Sequence, residues 1–313
     1  MNFDSKIFVA GYRGLVGSAI YRELIRQGYQ NIIIAESGEL NLCHGDEVAG
    51  FFQRESPEYV FLAAARVGGI MANIEKPAEI ICENLMIQTN VIDACQYFGV
   101  KKLVFLGSSC IYPNNISDRK ILPSDMLAGE LEPSNRAYAI AKIAGIEMCR
   151  AYKKQYGFNS ISLMPCNIYG ENDNFDYRSS HVVPALIRKF HNAKVNGDKS
   201  VVLWGSGKPW RELLHSDDLA KACIIAMERY NGDDVLNVGQ GMDIPISEIA
   251  QMIACTVGYE GTIEWDATKP DGTYRKLMDS SVINRLGWYP VVSLTEGFEK
   301  TYKWFKSVYV GEK

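Results

Sequence analysis

The sequence lacks the features that would place it in a membrane or on nucleic acid. Its 313 residues contain no apolar run that approaches a membrane span, and no charged-then-apolar signal pattern opens the chain. The formal net charge is −4, and residues of both signs are interspersed rather than grouped in blocks. We therefore expect a soluble cytoplasmic protein with no nucleic-acid and no membrane partner.

Patterns that bind metal ions are missing as well. The eight cysteines are scattered, without a Cys-x-x-Cys pair and without a histidine at metal-ligand spacing. Neither a zinc site nor a disulfide framework is expected, and no residue is assigned to a metal. Most of the cysteines are predicted to be small apolar core residues. Cys110 is the exception, because it follows a serine pair at the end of a predicted strand.

Apolar segments of strand length alternate with longer amphipathic segments. The predicted strands are 7–10, 31–35, 59–63, 102–106 and 159–164, and the predicted helices are 17–27, 46–54, 78–98 and 136–156. This order predicts an α/β fold with a Rossmann-type, doubly wound parallel sheet.

The alternation loosens after about residue 170, where glycine, proline, asparagine and aspartate become frequent. We therefore predict a dinucleotide-binding domain at 1–170, with segments near 215–240 returning to it. A smaller C-terminal α/β lobe at 171–313 is predicted to hold the substrate. The 78–98 helix is apolar on more than one face, which favours a homodimer built from it and the 136–156 helix.

A glycine turn directly follows the first predicted strand and opens a helix. Gly11, Gly14 and Gly17, with Leu15 and Val16 among them, permit a tight turn and close backbone approach to a pyrophosphate, which then rests on the helix N-terminus. This arrangement predicts a nicotinamide dinucleotide site.

The choice between the two nicotinamide nucleotides rests on two residues that disagree. Arg13, inside the turn, is placed to pair with a 2′-phosphate and favours NADP. Glu36, after the second strand, is placed to bond a free ribose hydroxyl and favours NAD. We expect NADP(H) with a modest preference.

A second pair of residues carries acid–base chemistry. On a helix, Tyr138 and Lys142 lie on one face, so the ammonium is expected to stabilise the phenolate and lower the pKa of the phenol. Ser108 or Ser109 would supply a second hydrogen bond to the reacting oxygen. The Tyr-x-x-x-Lys spacing occurs at three other places, but only this copy follows an apolar strand ending in Gly-Ser-Ser.

These segments together resemble one branch of a known family. The strings that carry the resemblance are the glycine turn, Ala64-Ala65-Arg66-Val67-Gly68-Gly69-Ile70, Gly107-Ser108-Ser109-Cys110-Ile111-Tyr112-Pro113, Tyr138-Ala139-Ile140-Ala141-Lys142, Ser180-His181-Val182-Val183-Pro184-Ala185-Leu186, Trp204-Gly205-Ser206-Gly207 and Arg211-Glu212-Leu213-Leu214-His215. They are similar to those of the GDP-L-fucose synthases, which are extended short-chain dehydrogenase/reductases. The resemblance implies C3/C5 epimerisation and then NADPH-dependent C4 reduction of GDP-4-keto-6-deoxy-D-mannose.

The resemblance also implies roles for individual residues. Ser108, Tyr138 and Lys142 would be the reductase triad, while Cys110 and His181 would be the base and acid of the epimerisation. The expected cofactor-binding residues are Gly11, Arg13, Gly14, Leu15, Val16, Gly17, Glu36, Ala64, Ala65, Tyr138 and Lys142. The expected substrate-binding residues are Asn167, Lys189, Trp204, Arg211 and Lys276, with Arg211 and Lys276 on the diphosphate.

Several positions depart from the pattern of that family. Tyr12 stands where histidine is usual, Arg66 where lysine is usual, Lys189 where arginine is common, and Tyr274 replaces a proline. Three alternatives therefore remain open. One is an epimerase/reductase or C4-reductase for a related GDP-4-keto sugar, either a 3,6-dideoxy hexose or a heptose. The others are a reductase or 4-epimerase that does not use Cys110 and His181, and a nucleotide-sugar-binding regulatory protein.

Overall fold

The computed structural model describes residues 1–269 and 271–310, so the end of the predicted lobe, at 311–313, lies outside the described residues. The strands are β1 (Ile7–Ala10), β2 (Ile32–Ile33), β3 (Tyr59–Leu62), β4 (Lys102–Leu106), β5 (Ser160–Pro165), β6 (Asn167–Tyr169), β7 (Ser200–Trp204), β8 (Trp210–Arg211), β9 (Leu213–His215), β10 (Leu236–Val238), β11 (Ile244–Pro245) and β12 (Thr262–Asp266). The α-helices are α1 (Leu15–Gln27), α2 (Gly45–Glu55), α3 (Ile70–Glu75), α4 (Pro77–Tyr97), α5 (Arg136–Tyr156), α6 (Val182–Asn196), α7 (Ser216–Arg229), α8 (Ile246–Val257), α9 (Ser281–Arg285) and α10 (Leu294–Phe305).

Six parallel strands form the central sheet in the order β10-β5-β4-β3-β1-β2. Every residue of β1, β4 and β5 is buried, since helices cover a parallel sheet on both faces, and the sequences of β1 and β4 are accordingly almost entirely apolar. The α/β prediction with a Rossmann-type sheet is confirmed.

The second strand is shorter than predicted. Residues 31–35 were expected, but only Ile32 and Ile33 pair with β1. β2 lies at the edge of the sheet and has one neighbour, so it loses its ladder as soon as the chain turns away towards Glu36.

The helices pack in groups around this sheet. α1 packs against α7, while α4 packs against α2 and, over most of its length, against α5. Gln88 of α4 donates a buried hydrogen bond to the carbonyl of Ala141 in α5, at 2.6 Å. Gly145 permits this close approach, because a Cβ there would lie 2.5 Å from Phe105 and 2.8 Å from Gln88.

A second group of buried apolar side chains lies apart from the central sheet. It is formed by α6, α8 and α10 with the parallel pair β7 and β12. α7 and β10, by contrast, pack with the central sheet although they lie late in the chain. The first group therefore draws on both ends of the sequence.

Within the described residues, no helix is long and apolar enough to cross a membrane. The same part of the chain contains no cluster of three or more histidine, cysteine or acidic side chains arranged to hold a metal ion.

Candidate active site

Two glycines of the turn between β1 and α1, Gly11 and Gly17, have no room for a side chain. Gly11 has a φ of +85°, and a Cβ there would lie 2.8 Å from the backbone of Ala64. A Cβ on Gly17 would lie 2.1 Å from the carbonyl oxygen of Gly11. Gly14 caps the helix without a side chain, so the first-turn N–H groups beside Leu15 are left for a ligand.

The residues of this turn fit a dinucleotide. An exposed N-terminus on a 13-residue helix is suited to a pyrophosphate, and the bare backbone of the turn lets it approach. Ala64 and Ala65 follow β3 at the same edge of the sheet, where Ala64 borders the turn.

Arg13 and Glu36, which gave opposite indications of the cofactor, bind each other. The Arg13 guanidinium donates to the Glu36 carboxylate, and both side chains are exposed. Tyr12 joins them, because its hydroxyl accepts from Arg13 Nε at 3.2 Å and donates to Glu36 at 3.3 Å. The guanidinium that would meet a 2′-phosphate therefore already has an anionic partner.

The serine pair and Cys110 form a tight turn after β4. Ser108 caps a short 3₁₀ helix, Ser109–Ile111, and its Oγ accepts from the backbone N–H of Cys110 at 3.3 Å. This turn places Ser108 at the carboxyl end of the strand and buries Cys110 directly beside it.

Tyr138 and Lys142 approach this turn from α5. The Lys142 ammonium donates to the carbonyl of Leu106, the last residue of β4, at 2.7 Å. It lies 5.7 Å from the centroid of the Tyr138 ring and 4.9 Å from that of Phe105. The structure thus brings Ser108, Cys110, Tyr138 and Lys142 together, as the sequence predicts.

The expected effect of Lys142 on Tyr138 is wrong in direction. Burial, together with the nearby Cys110 thiol, raises the pKa of Tyr138 instead of lowering it. Burial also lowers the pKa of Lys142 to about 8. The ammonium is directed at the Leu106 carbonyl and not at the phenol oxygen, so it does not offset desolvation of the phenolate. Tyr138 therefore keeps its phenol proton at neutral pH.

The Cys110 thiol lies among cations. Burial raises its pKa, while the hydrogen bond from Ser108 and the charges of Lys276 and Lys142 act in the opposite direction. Lys276 comes from the far end of the chain, and the sequence analysis assigned it to the diphosphate of the substrate and not to this thiol. Its pKa is lowered by burial and raised by Cys110.

His181 is the N-cap residue of α6, and its side chain makes no capping hydrogen bond. Solvent reaches the imidazole, yet enough protein surrounds it that desolvation lowers its pKa. The preceding backbone is held by the loop after β3, where the N–H of Gly69 donates to the carbonyl of Ser179 at 2.7 Å. A Cβ on Gly69 would lie 2.5 Å from the carbonyl oxygen of Ser180, so this contact requires glycine.

The remaining predicted substrate residues lie on β6, α6, β7 and β8. Lys189 of α6 lies 5.9 Å from the ring centroid of Trp204, which ends β7 and is 57% exposed. Asn167 begins β6 and is exposed beside Leu213 of β9. Arg211 donates from Nη1 to the carbonyl of Thr273 at 2.7 Å, and burial lowers its pKa.

Two acidic residues near these cations had no predicted role. Glu132 accepts from Thr273 Oγ1 at 3.0 Å, and its charge acts on both Arg211 and Lys276. Glu212 is buried and accepts from the N–H groups of Gly241 at 2.7 Å and Met278 at 2.9 Å. The sequence signal that could have identified Glu212 is a charged residue directly before the apolar Leu213-Leu214 pair.

The chain is similar to known proteins over most of its length. The model of the NAD dependent epimerase/dehydratase family matches residues 7–239. GDP-L-fucose synthase 1 of Arabidopsis thaliana is 55% identical over 302 residues, which cover 96% of this chain and 93% of that protein.

Two solved structures are similar over nearly the whole chain. A GDP-6-OMe-4-keto-L-xylo-heptose reductase from C. jejuni has a TM-score of 0.92 at 38% identity, covering 98% of this chain and 99% of that one. A GDP-L-fucose synthetase from Naegleria fowleri bound to NADP has a TM-score of 0.90 at 26% identity, covering 99% and 96%.

The Rossmann-type sheet, the glycine turn and the Ser108/Tyr138/Lys142 group define a nicotinamide-dependent enzyme of the epimerase and reductase class. The chain belongs to the NAD dependent epimerase/dehydratase family and, within it, to the group of the GDP-L-fucose synthases.

Proposed function

We propose that this enzyme epimerises C3 and C5 of GDP-4-keto-6-deoxy-D-mannose and then reduces C4 to give GDP-L-fucose. The observation that carries the proposal is the convergence of Ser108, Tyr138 and Lys142 with the buried Cys110 at the end of β4. A reductase site alone has no need of a thiol there. The GDP-L-fucose synthases among its relatives support the choice of sugar.

The reduction step uses Tyr138 as the proton donor. When bound, the nicotinamide supplies the hydride that adds to C4. Tyr138 gives its phenol proton to O4 as negative charge develops there, and its raised pKa keeps that proton available. Ser108 donates a second hydrogen bond to the same oxygen, and Lys142, held by the carbonyl of Leu106, positions the end of β4 beside Tyr138.

The epimerisation steps use Cys110 and His181. The 4-ketone acidifies the hydrogens on both flanking carbons, so Cys110 removes a proton and His181 returns one to the opposite face. The lowered pKa of His181 makes its imidazolium a stronger acid than an imidazolium with the ordinary histidine pKa.

The GDP portion is proposed to bind the lobe at 171–313. Arg211 and Lys276 pair with the diphosphate, while Asn167, Lys189 and Trp204 line the rest of the site. The desolvation that lowers the pKa of Arg211 and Lys276 supports this role, because a bound diphosphate would restore favourable charge contacts to both.

The cofactor is proposed to be NADP(H), with a modest preference over NAD(H). Arg13 is the group for the 2′-phosphate, and the fucose synthetase structure with NADP supports the assignment. The ion pair with Glu36 limits the preference, because the phosphate must compete with a carboxylate for one guanidinium.

The partner is proposed to be a second copy of the chain, bound through α4 and α5. The outer faces of these packed helices carry Met86, which is 37% exposed, and Ile140, which is 40% exposed. Burying such a surface against its symmetry mate gives a dimer. Light scattering at micromolar concentration tests this, and a monomer mass would reject it.

A C4-reductase for a related GDP-4-keto sugar is a second candidate. The heptose reductase from C. jejuni, with its TM-score of 0.92, is the observation that favours it. Both candidates are tested by incubating the enzyme with NADPH and each 4-keto GDP-sugar in deuterated water. Deuterium at C3 and C5 of a fucose product supports the proposal, while NADPH consumption without ring deuterium favours the reductase.

A further inference from the structure

We propose that Tyr12 sets the preference between NADPH and NADH, because its hydroxyl holds Arg13 against Glu36. The inference rests on the dinucleotide site proposed above and names a residue to which the proposed function gives no role. Tyr12 stands where the GDP-L-fucose synthases usually carry histidine. It acts through Arg13 and Glu36 and is therefore a positioning residue for the nucleotide.

Tyr12, Arg13 and Glu36 form a closed triangle of hydrogen bonds. The Tyr12 hydroxyl accepts from Arg13 Nε at 3.2 Å and donates to Glu36 Oε1 at 3.3 Å, while Arg13 Nη2 donates to the same carboxylate oxygen. Nε and Nη2 form one edge of the guanidinium, and such an edge binds a phosphate with two parallel hydrogen bonds. Tyr12 and Glu36 together therefore occupy an edge that a 2′-phosphate would use.

The Tyr12 ring is held more firmly than the ion pair. The side chains of Arg13 and Glu36 are 68% and 44% exposed, so the pair by itself would be weak. Tyr12 is only partly exposed, packs against the buried side chains of the central sheet and meets the ring of Tyr21 edge to face, with centroids 6.1 Å apart. The guanidinium carbon of Arg13 lies 5.8 Å from the Tyr12 ring centroid. The anchored hydroxyl thus gives the exposed pair a fixed third partner.

The closed triangle leaves the other carboxylate oxygen of Glu36 for a ribose. Within the described residues, Glu36 Oε2 accepts no hydrogen bond. Glu36 lies after β2, about 20 residues beyond the glycine turn, where an acidic residue of a Rossmann-type site bonds the 2′-hydroxyl of NAD. A 2′-phosphate at this place would instead meet the negative charge of Glu36 until Arg13 is released.

Tyr12 therefore acts on the two nucleotides differently. NADPH binding has to break the bonds from Tyr12 and Glu36 to the guanidinium, whereas NADH binding leaves the triangle in place. The hydroxyl accordingly lowers the affinity for NADPH and spares that for NADH. The modest preference for NADPH proposed above has its cause in this triangle.

Binding of each nucleotide without a sugar tests the inference. The dissociation constants of NADPH and NADH are measured from nicotinamide fluorescence in the wild type and in Tyr12→Phe, which removes both hydrogen bonds and keeps the ring. Tyr12→Phe should tighten NADPH binding by about two- to threefold and leave NADH binding unchanged. Tyr21→Phe is the matched control, because the Tyr21 hydroxyl makes no hydrogen bond within the described residues, and it should change neither constant.

Two further measurements separate this positioning role from a structural one. In Arg13→Ala the guanidinium that Tyr12 holds is absent, so adding Tyr12→Phe should leave the NADPH dissociation constant of that variant unchanged. The tighter NADPH binding of Tyr12→Phe should shrink at high salt, because the released guanidinium meets the phosphate through an exposed charge contact that salt screens.

Three results would overturn the inference: unchanged NADPH binding in Tyr12→Phe, an equal change in the binding of both nucleotides, or a gain that persists in the Arg13→Ala background. A wild type that binds neither nucleotide would instead reject the proposed cofactor. Failure of the wild type to place deuterium at C3 and C5 would reject the epimerase function and leave the role of Tyr12 untouched, since the binding measurements contain no sugar.

Discussion

The dinucleotide end and the sugar end of the proposed active site differ in how deeply their charged side chains are buried. At the dinucleotide end, Arg13 and Glu36 are exposed, lie beside their own strand ends and pair with each other. At the sugar end, Lys142, Lys276 and Arg211 are surrounded by protein, come from three distant segments, and all have lowered pKa values.

This difference separates recognition from chemistry. Water and salt screen an exposed ion pair, so Arg13 and Glu36 adjust affinity by small amounts. Desolvation shifts the protonation of buried groups, so the sugar end determines where protons lie at neutral pH. Substitutions at the sugar end should therefore have much larger effects than those at the dinucleotide end.

The largest effect is expected for Tyr138→Phe. Without the phenol proton, O4 has no acid as hydride arrives, so reduction should slow by about 10²–10⁴-fold. Exchange of the C3 and C5 hydrogens into deuterated water should persist, because Cys110 and His181 remain. The measurement is NADPH oxidation beside deuterium incorporation by NMR. Equal loss of both would mean that one group serves both reactions.

The reverse pattern is expected for Cys110→Ser. A serine hydroxyl is far harder to ionise than a thiol, so deuterium exchange should slow by about 10²–10⁴-fold. Hydride transfer to ketone that has not been epimerised should survive, because the Ser108/Tyr138/Lys142 group is untouched. His181→Asn should resemble this variant, with proton return impaired. Exchange at the wild-type rate would leave the reductase-only function.

Glu212→Gln should lower the free energy of unfolding of the protein by an amount that depends on pH. An amide has one acceptor oxygen, so either Gly241 or Met278 loses its partner, at about 1–3 kcal/mol. Burial raises the pKa of Glu212 to about 7 from 4.5. The contribution of the wild-type carboxyl to stability is therefore fully present below the unfolded-state pKa of 4.5. It is lost as pH rises through the folded-state pKa of about 7.

The unfolding free energy of the wild type should exceed that of Glu212→Gln most at about pH 5, and the difference should shrink towards about pH 8. Urea titrations of both proteins across this range measure it. A constant difference would show that the carboxyl is ionised at every pH tested.

The smallest effect is expected for Glu36→Gln at the dinucleotide end. Removing the carboxylate frees Arg13 for the 2′-phosphate, so the ratio of kcat/KM for NADPH over NADH should rise by about two- to fivefold. Arg13→Ala should lower NADPH use and spare NADH, and the double variant should match it. A change in this ratio as large as the loss of reduction in Tyr138→Phe would contradict the predicted difference between the two ends.

Features that depend on short segments could be predicted from the sequence alone. The strands at 7–10 and 102–106 were predicted to the residue, because a strand buried on both faces has a nearly continuous apolar sequence. The glycine turn, and the position of Tyr138 and Lys142 on one helix face, could also be predicted, since each is set by backbone geometry over a few residues.

Which distant groups meet, and how far each is desolvated, depends on the packing of the whole chain and could not be predicted from local sequence. The Arg13 pair with Glu36, the Lys142 bond to Leu106, the Tyr112 bond to Asn237 and the Glu212 bonds to Gly241 and Met278 join residues 23 to 125 positions apart. The expected direction of the Tyr138 pKa shift was wrong because the sequence does not show how far the phenol is buried. Spacing predicts that two side chains share a helix face, but desolvation depends on everything packed around them.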